Sequence, residues 1–157
     1  MTVQEFTQRL LAHMGVEDAT VEVEEGETTL VKIQVAEEES GLLIGYHGEC
    51  LTALQRVLYM AYSREDQNKK FLVNVNDYKE RRTTQLQEMA RSAAEKVLEN
   101  GQSYGFSYLS ASERLIVHEF IANTPEFAGL ESYSTGDGQR RRLYIRPKEE
   151  SDQELAA

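Results

Sequence analysis

The sequence predicts an α/β chain of the α+β kind: a first module of helices on a three-stranded sheet, joined by a long helix to a second small α/β module. Three observations lead there. Hydrophobic patterns of strand and helix period follow one another as α-β-β-α-β, then α, then β-α-β-β. One helical stripe runs unbroken through mid-chain for about six turns. With 157 residues, 40% of them hydrophobic, the chain has enough to bury a core. Neither half is long enough for a doubly wound sheet with a deep enzymatic pocket.

The first helix is read over Val3 to Met14, where Val3, Phe6, Leu10, Leu11 and Met14 fall at helical spacing and Gly15 stops it. Val21-Glu-Val-Glu and Leu30-Val-Lys-Ile-Gln-Val alternate around Glu25-Gly-Glu, which marks an antiparallel hairpin with one apolar and one charged face. Glu37–Glu39 reads as solvated loop, and Ser40-Gly-Leu-Leu-Ile-Gly-Tyr-His-Gly as a short apolar turn closing on two glycines. A helix follows with Leu51, Leu54, Val57, Leu58 and Ala61 on one side, and then a third strand, Phe71-Leu-Val-Asn-Val-Asn. Asp77-x-x-Glu80 signals the start of the long helix, from about 78 to 99. Its stripe is Leu86, Met89, Ala90, Ala93, Val97 and Leu98, and Asn100-Gly101 ends it. Tyr104 to Leu109 reads as a strand, and Ser110-x-x-Glu113 caps a helix ending near Asn123-Thr-Pro. Two closing strands, around Leu130–Ser134 and Leu143–Arg146, flank the turn Thr135-Gly-Asp-Gly.

The formal charge is −10, from 17 basic and 27 acidic side chains, which at first argues against a nucleic-acid binder. Its distribution reverses that reading. Residues 1–40 carry −8, residues 41–78 are neutral, residues 79–148 carry +2 and the tail 149–157, read as disordered, carries −4. Arg140, Arg141, Arg142, Arg146 and Lys148 fall within nine residues. The pattern predicts a local contact surface flanked by segments that repel phosphate.

Two constellations carry chemistry. In Gly41-Leu-Leu-Ile-Gly-Tyr-His-Gly48, two glycines separated by two residues precede a helix. Glycine lets a foreign backbone come close, and the N–H groups of the following helix attract phosphate. The plain alternative is a tight corner that needs glycine for packing. In context, Gly45, Tyr46, His47 and Gly48 resemble the loop of a KH domain, which clamps the backbone of about four nucleotides. Two strands before the loop and one after its helix resemble the prokaryotic form of that fold. The second constellation is Arg114-Leu-Ile-Val-His118, whose spacing puts Arg114 and His118 one turn apart beside the apolar arc of Ile116, Val117, Phe120 and Ile121. Such a pair suits phosphate, with the ring also available for stacking; its plain alternative is a surface pair. With a capping box before it and an Arg-rich strand after, it resembles the nucleic-acid-binding domain named for this R-x-x-x-H pattern.

A KH domain over 1–78, followed by a connecting helix and R-x-x-x-H domain over 79–148, is similar to the Jag family, also called KhpB. Asn76-Asp-Tyr-Lys-Glu-Arg-Arg, Tyr133-Ser-Thr-Gly and Arg141-Arg-Leu-Tyr-Ile-Arg-Pro147 fit that family as well. The separate N-terminal domain of many members has no counterpart here. The resemblance implies post-transcriptional regulation through single-stranded RNA, partnership with a small single-KH protein and a link to cell envelope growth or division. Two departures stand out. Tyr46 occupies the first variable loop position, where members usually carry Lys or Arg, and Leu115 stands where many have a second Arg. The loop then brings amides and a ring but no fixed charge, leaving the second half to supply the electrostatics.

Other residues have plainer readings. Arg81 and Arg82 oppose the dipole at a helix start, which hints at an anion or carboxylate partner against a solvated surface. Arg140 and Arg142 are read as a ribbon facing nucleic acid or as charged protection of a sheet edge. Tyr104, Phe106 and Tyr108 alternate and read as core before stacking face, and Cys50 reads as a buried small residue. His13, His47, His118 and Cys50 lack zinc spacing, and no phosphate-loop, dinucleotide or nucleophile-elbow motif occurs. The expectation is a cytoplasmic RNA-binding protein rather than an enzyme, with no cofactor, small-molecule substrate or membrane insertion. The alternative is a protein-interaction adaptor whose loop has lost RNA.

Overall fold

The computed structural model describes residues 1–148; the predicted acidic tail lies outside them. The chain divides into two compact units, one over Met1–Lys79 and the other beginning at Glu80.

In the first unit, α1 (Val3–His13) starts from a capping box that the apolar spacing alone did not reveal. The Thr2 hydroxyl accepts the Glu5 amide at 3.1 Å, and the Glu5 carboxylate accepts the Thr2 amide at 3.0 Å. Strands β1 (Thr20–Glu24) and β2 (Thr28–Gln34) form the predicted antiparallel hairpin. Strand β3 (Lys70–Val75) pairs parallel to β2 at the other side, giving the order β1-β2-β3. A parallel neighbour requires a crossover. The helices α2 (Glu37–Ile44) and α3 (Glu49–Tyr62) supply it. Alternation sends Val21, Val31, Ile33, Phe71, Val73 and Val75 to one face, where they bury Leu11, Leu43, Leu51 and Leu58.

Two expectations change here. Glu37–Glu39 is the first turn of α2 rather than loop. Three carboxylates suit a helix N-terminus, and Leu43 four to six residues on anchors the helix in the core. On α3 only Leu51, Leu54 and Leu58 are buried; Val57 and Ala61 face outward, because a single three/four-spaced stripe reaches the sheet.

Helix α4 (Tyr78–Asn100) begins where Asn76 and Asp77, both at positive φ, turn the chain out of β3. Its Lys79 amide donates to Asn74 Oδ1 at 3.2 Å, so a strand residue outside the Asp77-x-x-Glu80 signal serves the first turn. Its buried stripe is Leu86, Ala90, Ala93, Ala94 and Val97, and Met89 and Leu98 lie exposed. Small alanines let the helix axis approach its neighbours closely.

The second unit packs α4 and α5 (Ala111–Asn123) with Phe106, Leu109, Phe127, Leu130, Leu143 and Ile145. Its sheet has the order β4-β6-β5, with β4 (Tyr104–Gly105), β5 (Leu130–Thr135) and β6 (Arg142–Pro147) all antiparallel. The strand expected over Tyr104–Leu109 stops after two residues because Phe106 and Leu109 turn into the core. The Arg-rich β6 is central and paired on both sides, which removes the edge-protection reading.

Helix α5 starts from the predicted capping box, with Ser110 Oγ accepting the Glu113 amide at 3.3 Å and Glu113 Oε1 accepting the Ser110 amide at 3.0 Å. The other Glu113 oxygen receives Arg82 Nε at 2.6 Å, and Glu113 is only 4% exposed. The cation at the start of α4 therefore has a carboxylate partner.

Candidate nucleic-acid interface

The loop between α2 and α3 is built from two glycines with different duties. Gly45 has φ 73° and ψ −179°, a conformation open to glycine alone. A Cβ there would lie 2.8 Å from the Cys50 nitrogen. Gly45 thus fulfils the packing reading. Gly48 is left-handed (φ 79°, ψ 17°), but its Cβ position meets only the Tyr78 ring, at 3.5 Å. Gly48 is also the N-cap of α3, and no side chain caps that helix. Its first-turn amides are thus approachable across a residue with no side chain. Between the glycines, His47 is left-handed as well, and Tyr46, 64% exposed, meets its ring edge-on at 4.2 Å. Cys50 is half-buried, and burial pushes its thiol up, away from reactivity.

A groove begins one turn along α3 from the loop. Thr52 Oγ1 donates to the Gly48 carbonyl at 3.2 Å. From there an open cavity of about 920 Å³ runs between α3 and β3, lined by Thr52, Gln55, Arg56, Tyr59, Lys69 and Lys70, among others. Gln55 Oε1 accepts both the Val73 amide of the edge strand, at 3.0 Å, and Lys79 Nζ, at 2.8 Å. The first unit therefore holds fixed cations that the loop motif lacks. Sequence reading missed them because they come from separate segments, Arg56 on α3 and Lys69 and Lys70 where the chain enters β3.

On α5, Arg114 and His118 are not a loose surface pair. Arg114 Nη1 donates to the Leu109 carbonyl at 2.6 Å, which folds the guanidinium back over the helix start. The His118 ring spans β5, with Nδ1 2.6 Å from Ser132 Oγ and Nε2 3.1 Å from Ser134 Oγ. A ring tethered at both nitrogens has a fixed orientation, unlike the freely stacking ring the spacing suggested. Burial first, then the Arg114 and Arg141 charges, push its pKa below the ordinary 6.5. Arg141, whose Nη1 donates to the Gly136 carbonyl at 2.9 Å, thus joins Arg114 and His118 in one electropositive group. The sequence shows Arg141 within the arginine run and Ser134 within Tyr133-Ser-Thr-Gly but does not link either to His118, and Ser132 is not singled out at all, although alternation in a strand places the two serines on one face.

The remaining nominated residues separate. Arg140 ends a 3₁₀ turn, Gly138–Arg140, and is exposed. Arg142 opens β6 on the face opposite Leu143, donating to the Gln139 carbonyl at 2.6 Å, with its guanidinium 5.6 Å from the Tyr108 ring centre. The two do not form one strand ribbon, because the turn intervenes.

Comparison with known proteins gives these parts a common frame. The model "KhpA/KhpB, KH domain" matches residues 2–75, and the R₃H (R-x-x-x-H) domain model matches residues 84–147. The RNA-binding protein KhpB of Streptococcus pneumoniae is 37% identical over 147 residues, covering 91% of this chain and 42% of the relative. The chain belongs to the KhpB (Jag) family. A KhpB of Bacillus subtilis is 31% identical over 129 residues, 82% of this chain and 61% of its own length. One of Lactiplantibacillus plantarum is 31% identical over 109 residues, 68% of this chain and 33% of its own. The chain thus spans about two-fifths to three-fifths of the first two relatives. Among the described residues no helix is long and apolar enough to cross a membrane, and no group of three or more acidic, His or Cys side chains is placed to hold a metal.

Within this family frame the depressed His118 predicts a pH signature. A ring whose folded pKa is lowered favours folding while neutral, so that contribution is full above 6.5 and is lost as pH falls through the folded value. A phosphate placed between Arg114, Arg141 and His118 favours the imidazolium instead, so binding takes up a proton. Affinity for single-stranded RNA is then expected to rise as pH falls into the range where the ring gains its proton. His118→Gln should flatten that rise, as read by fluorescence anisotropy. An unchanged rise in the variant would place the titrating group elsewhere.

Proposed function

We propose that this chain binds single-stranded RNA as a non-enzymatic regulator without a cofactor, acting in the cytoplasm. The reading is carried by the uncapped α3 N-terminus behind Gly48, with a groove one turn along that helix holding Arg56, Lys69 and Lys70. In this reading the loop Gly45–Gly48 holds the strand's backbone through amides, and the groove accommodates the bases beside it. Arg114, His118 and Arg141 contact phosphate on the second unit, with Arg140 and Arg142 contributing charge around the β5–β6 turn. The names of the relatives support RNA as the ligand, and two nucleic-acid-binding modules in one chain support an extended strand. A small single-KH protein as partner, and a role in envelope growth or division, follow from the family resemblance and belong to the same proposal.

Salt dependence tests the ligand. Each phosphate contact on a single strand adds about −0.7 to the slope of log affinity against log salt, so three to five contacts predict roughly −2 to −3.5. Tyr46 in place of a basic loop residue, with Val57, Tyr59 and Met60 exposed on α3, favours the adaptor alternative. That alternative wins if titration with single-stranded RNA shows no saturable, salt-sensitive binding.

A further inference from the structure

The face of the second unit's sheet that turns away from its core carries planar groups in layers. Strand register sets Tyr133 opposite Tyr144 and Glu131 opposite Arg146. Leu143 and Ile145, between them in sequence, go to the buried side. The two tyrosine rings are nearly parallel, 5.4 Å between centres with 19° between planes. The Arg146 guanidinium lies 4.5 Å from the Tyr133 ring centre and is fixed by Nε donating to Glu131 Oε1 at 2.6 Å. Gly105 in β4 is opposite Tyr144, and a Cβ there would come within 2.8 Å of that ring. Glycine at this position therefore leaves room for the Tyr144 ring. Neither Tyr133 nor Tyr144 belongs to the unit's hydrophobic core, and the Arg146 side chain is 40% exposed.

The geometry points to a base-stacking platform on this face, separate from the Arg114–His118–Arg141 group. There an unpaired base adds a layer to Tyr144, Tyr133 and Arg146, and Arg142 meets the adjoining phosphate. The inference rests on the RNA reading and names a second site for the same ligand. A cross-strand tyrosine pair alone is ordinary sheet packing. The guanidinium over it is different, because a carboxylate holds it 4.5 Å from the ring centre while it still meets solvent. Bases stack on tyrosine rings and on arginine planes alike. Charge selects the same occupant: Arg142 and Arg146 outnumber Glu131 on this face, in a chain of net charge −10. An apolar protein partner would have to desolvate all three. The alternation of β5 adds continuity. Ser132 and Ser134 hold His118 on one side while Tyr133 points to the other, so a strand passing the β5–β6 turn meets both faces.

The test uses the full chain and a photoreactive, 5-bromouridine-containing single-stranded RNA of about ten nucleotides. Arg146→Lys keeps the charge and can keep the pairing with Glu131, but it removes the stacking plane. Affinity should fall about fivefold or more, the loss of one base stack, with the salt slope unchanged. Crosslinks should map to Tyr133 or Tyr144. Tyr133→Leu should weaken binding in the same slope-preserving way, with protection of α5 amides from hydrogen exchange confirming its fold. If the parent binds with the expected salt slope while both variants match it and crosslinks stay at the Gly45–Gly48 loop and α5, the platform is wrong and RNA binding stands. If the parent itself shows no saturable binding, the proposed function fails and takes the platform with it.

Discussion

Replacing Arg82 with alanine is expected to lower the stability of the second unit by about 3 kcal/mol, because it removes the cation paired closely with a buried carboxylate. The Glu113 side chain is 5% exposed and that of Arg82 19%, so the pair is largely shielded from the water that makes surface ion pairs weak. Alanine at position 82 takes from Glu113 the guanidinium that lies 2.6 Å from its carboxylate. It also removes the contact of Arg82 Nη1 with Gln85, 2.8 Å away, which is exposed and contributes little. The consequence extends beyond stability. Glu113 closes the capping box of α5, and the next residue, Arg114, folds back to the Leu109 carbonyl from that same first turn. Urea unfolding should show a lowered midpoint, and hydrogen exchange should show the loss at residues 111–123. Adding Glu113→Gln to Arg82→Ala removes the buried charge and should restore part of the stability. A single variant with the parent's midpoint would mean that the pair contributes nothing net.

How much of this was legible in the sequence follows from the range of each interaction. The hairpin of β1 and β2 and the stripe of α4 are local patterns, and alternation or helical spacing displays them directly. Helix α2 was missed because it buries a single residue, Leu43, and leaves almost no stripe to read. Its remaining signal is the dipole-compatible Glu37–Glu39, which looks like solvated loop when judged by polarity alone. Arg114 and His118 were legible as a pair because their partnership is set by one helix turn. Their surroundings were not: Ser132 and Ser134 lie 14 and 16 residues from His118, and Glu113 lies 31 from Arg82. Such partners are chosen by packing, which periodicity does not encode. The same holds for Arg56, Lys69 and Lys70, which meet only because β3 pairs beside α3. Arg140 and Arg142 were placed on one strand because the chain looks extended there. The 3₁₀ turn over Gly138–Arg140 breaks that register and sends Arg142 alone into β6.

The two loop glycines should respond oppositely to substitution, which separates the binding role from the packing role. Gly48→Asp is expected to weaken single-stranded RNA binding about ten- to a hundredfold while leaving the first unit folded. The magnitude is that of one charge-assisted hydrogen bond, about 1.5–3 kcal/mol. The backbone tolerates the change, since aspartate is among the residues that enter the left-handed region and the nearest atom to the new Cβ is 3.5 Å away. The new carboxylate also sits at the N-cap of α3, where it can accept the first-turn amides otherwise open to a phosphate. It therefore occupies the anion site and repels the incoming backbone, and it should raise thermal stability slightly or leave it unchanged. Gly45→Ala should do the reverse in order of events. Its φ of 73° with ψ near 180° strains any side chain, and the added methyl meets the Cys50 nitrogen at 2.8 Å. The α2–α3 corner must open before any effect on RNA appears, so the melting temperature falls first and affinity follows. Measuring both quantities for both variants gives a crossed result if the loop is a backbone clamp. If Gly48→Asp binds like the parent, the Gly45–Gly48 segment is a corner and no more, and RNA affinity must come from the Arg56–Lys69–Lys70 groove or the arginine faces of the second unit.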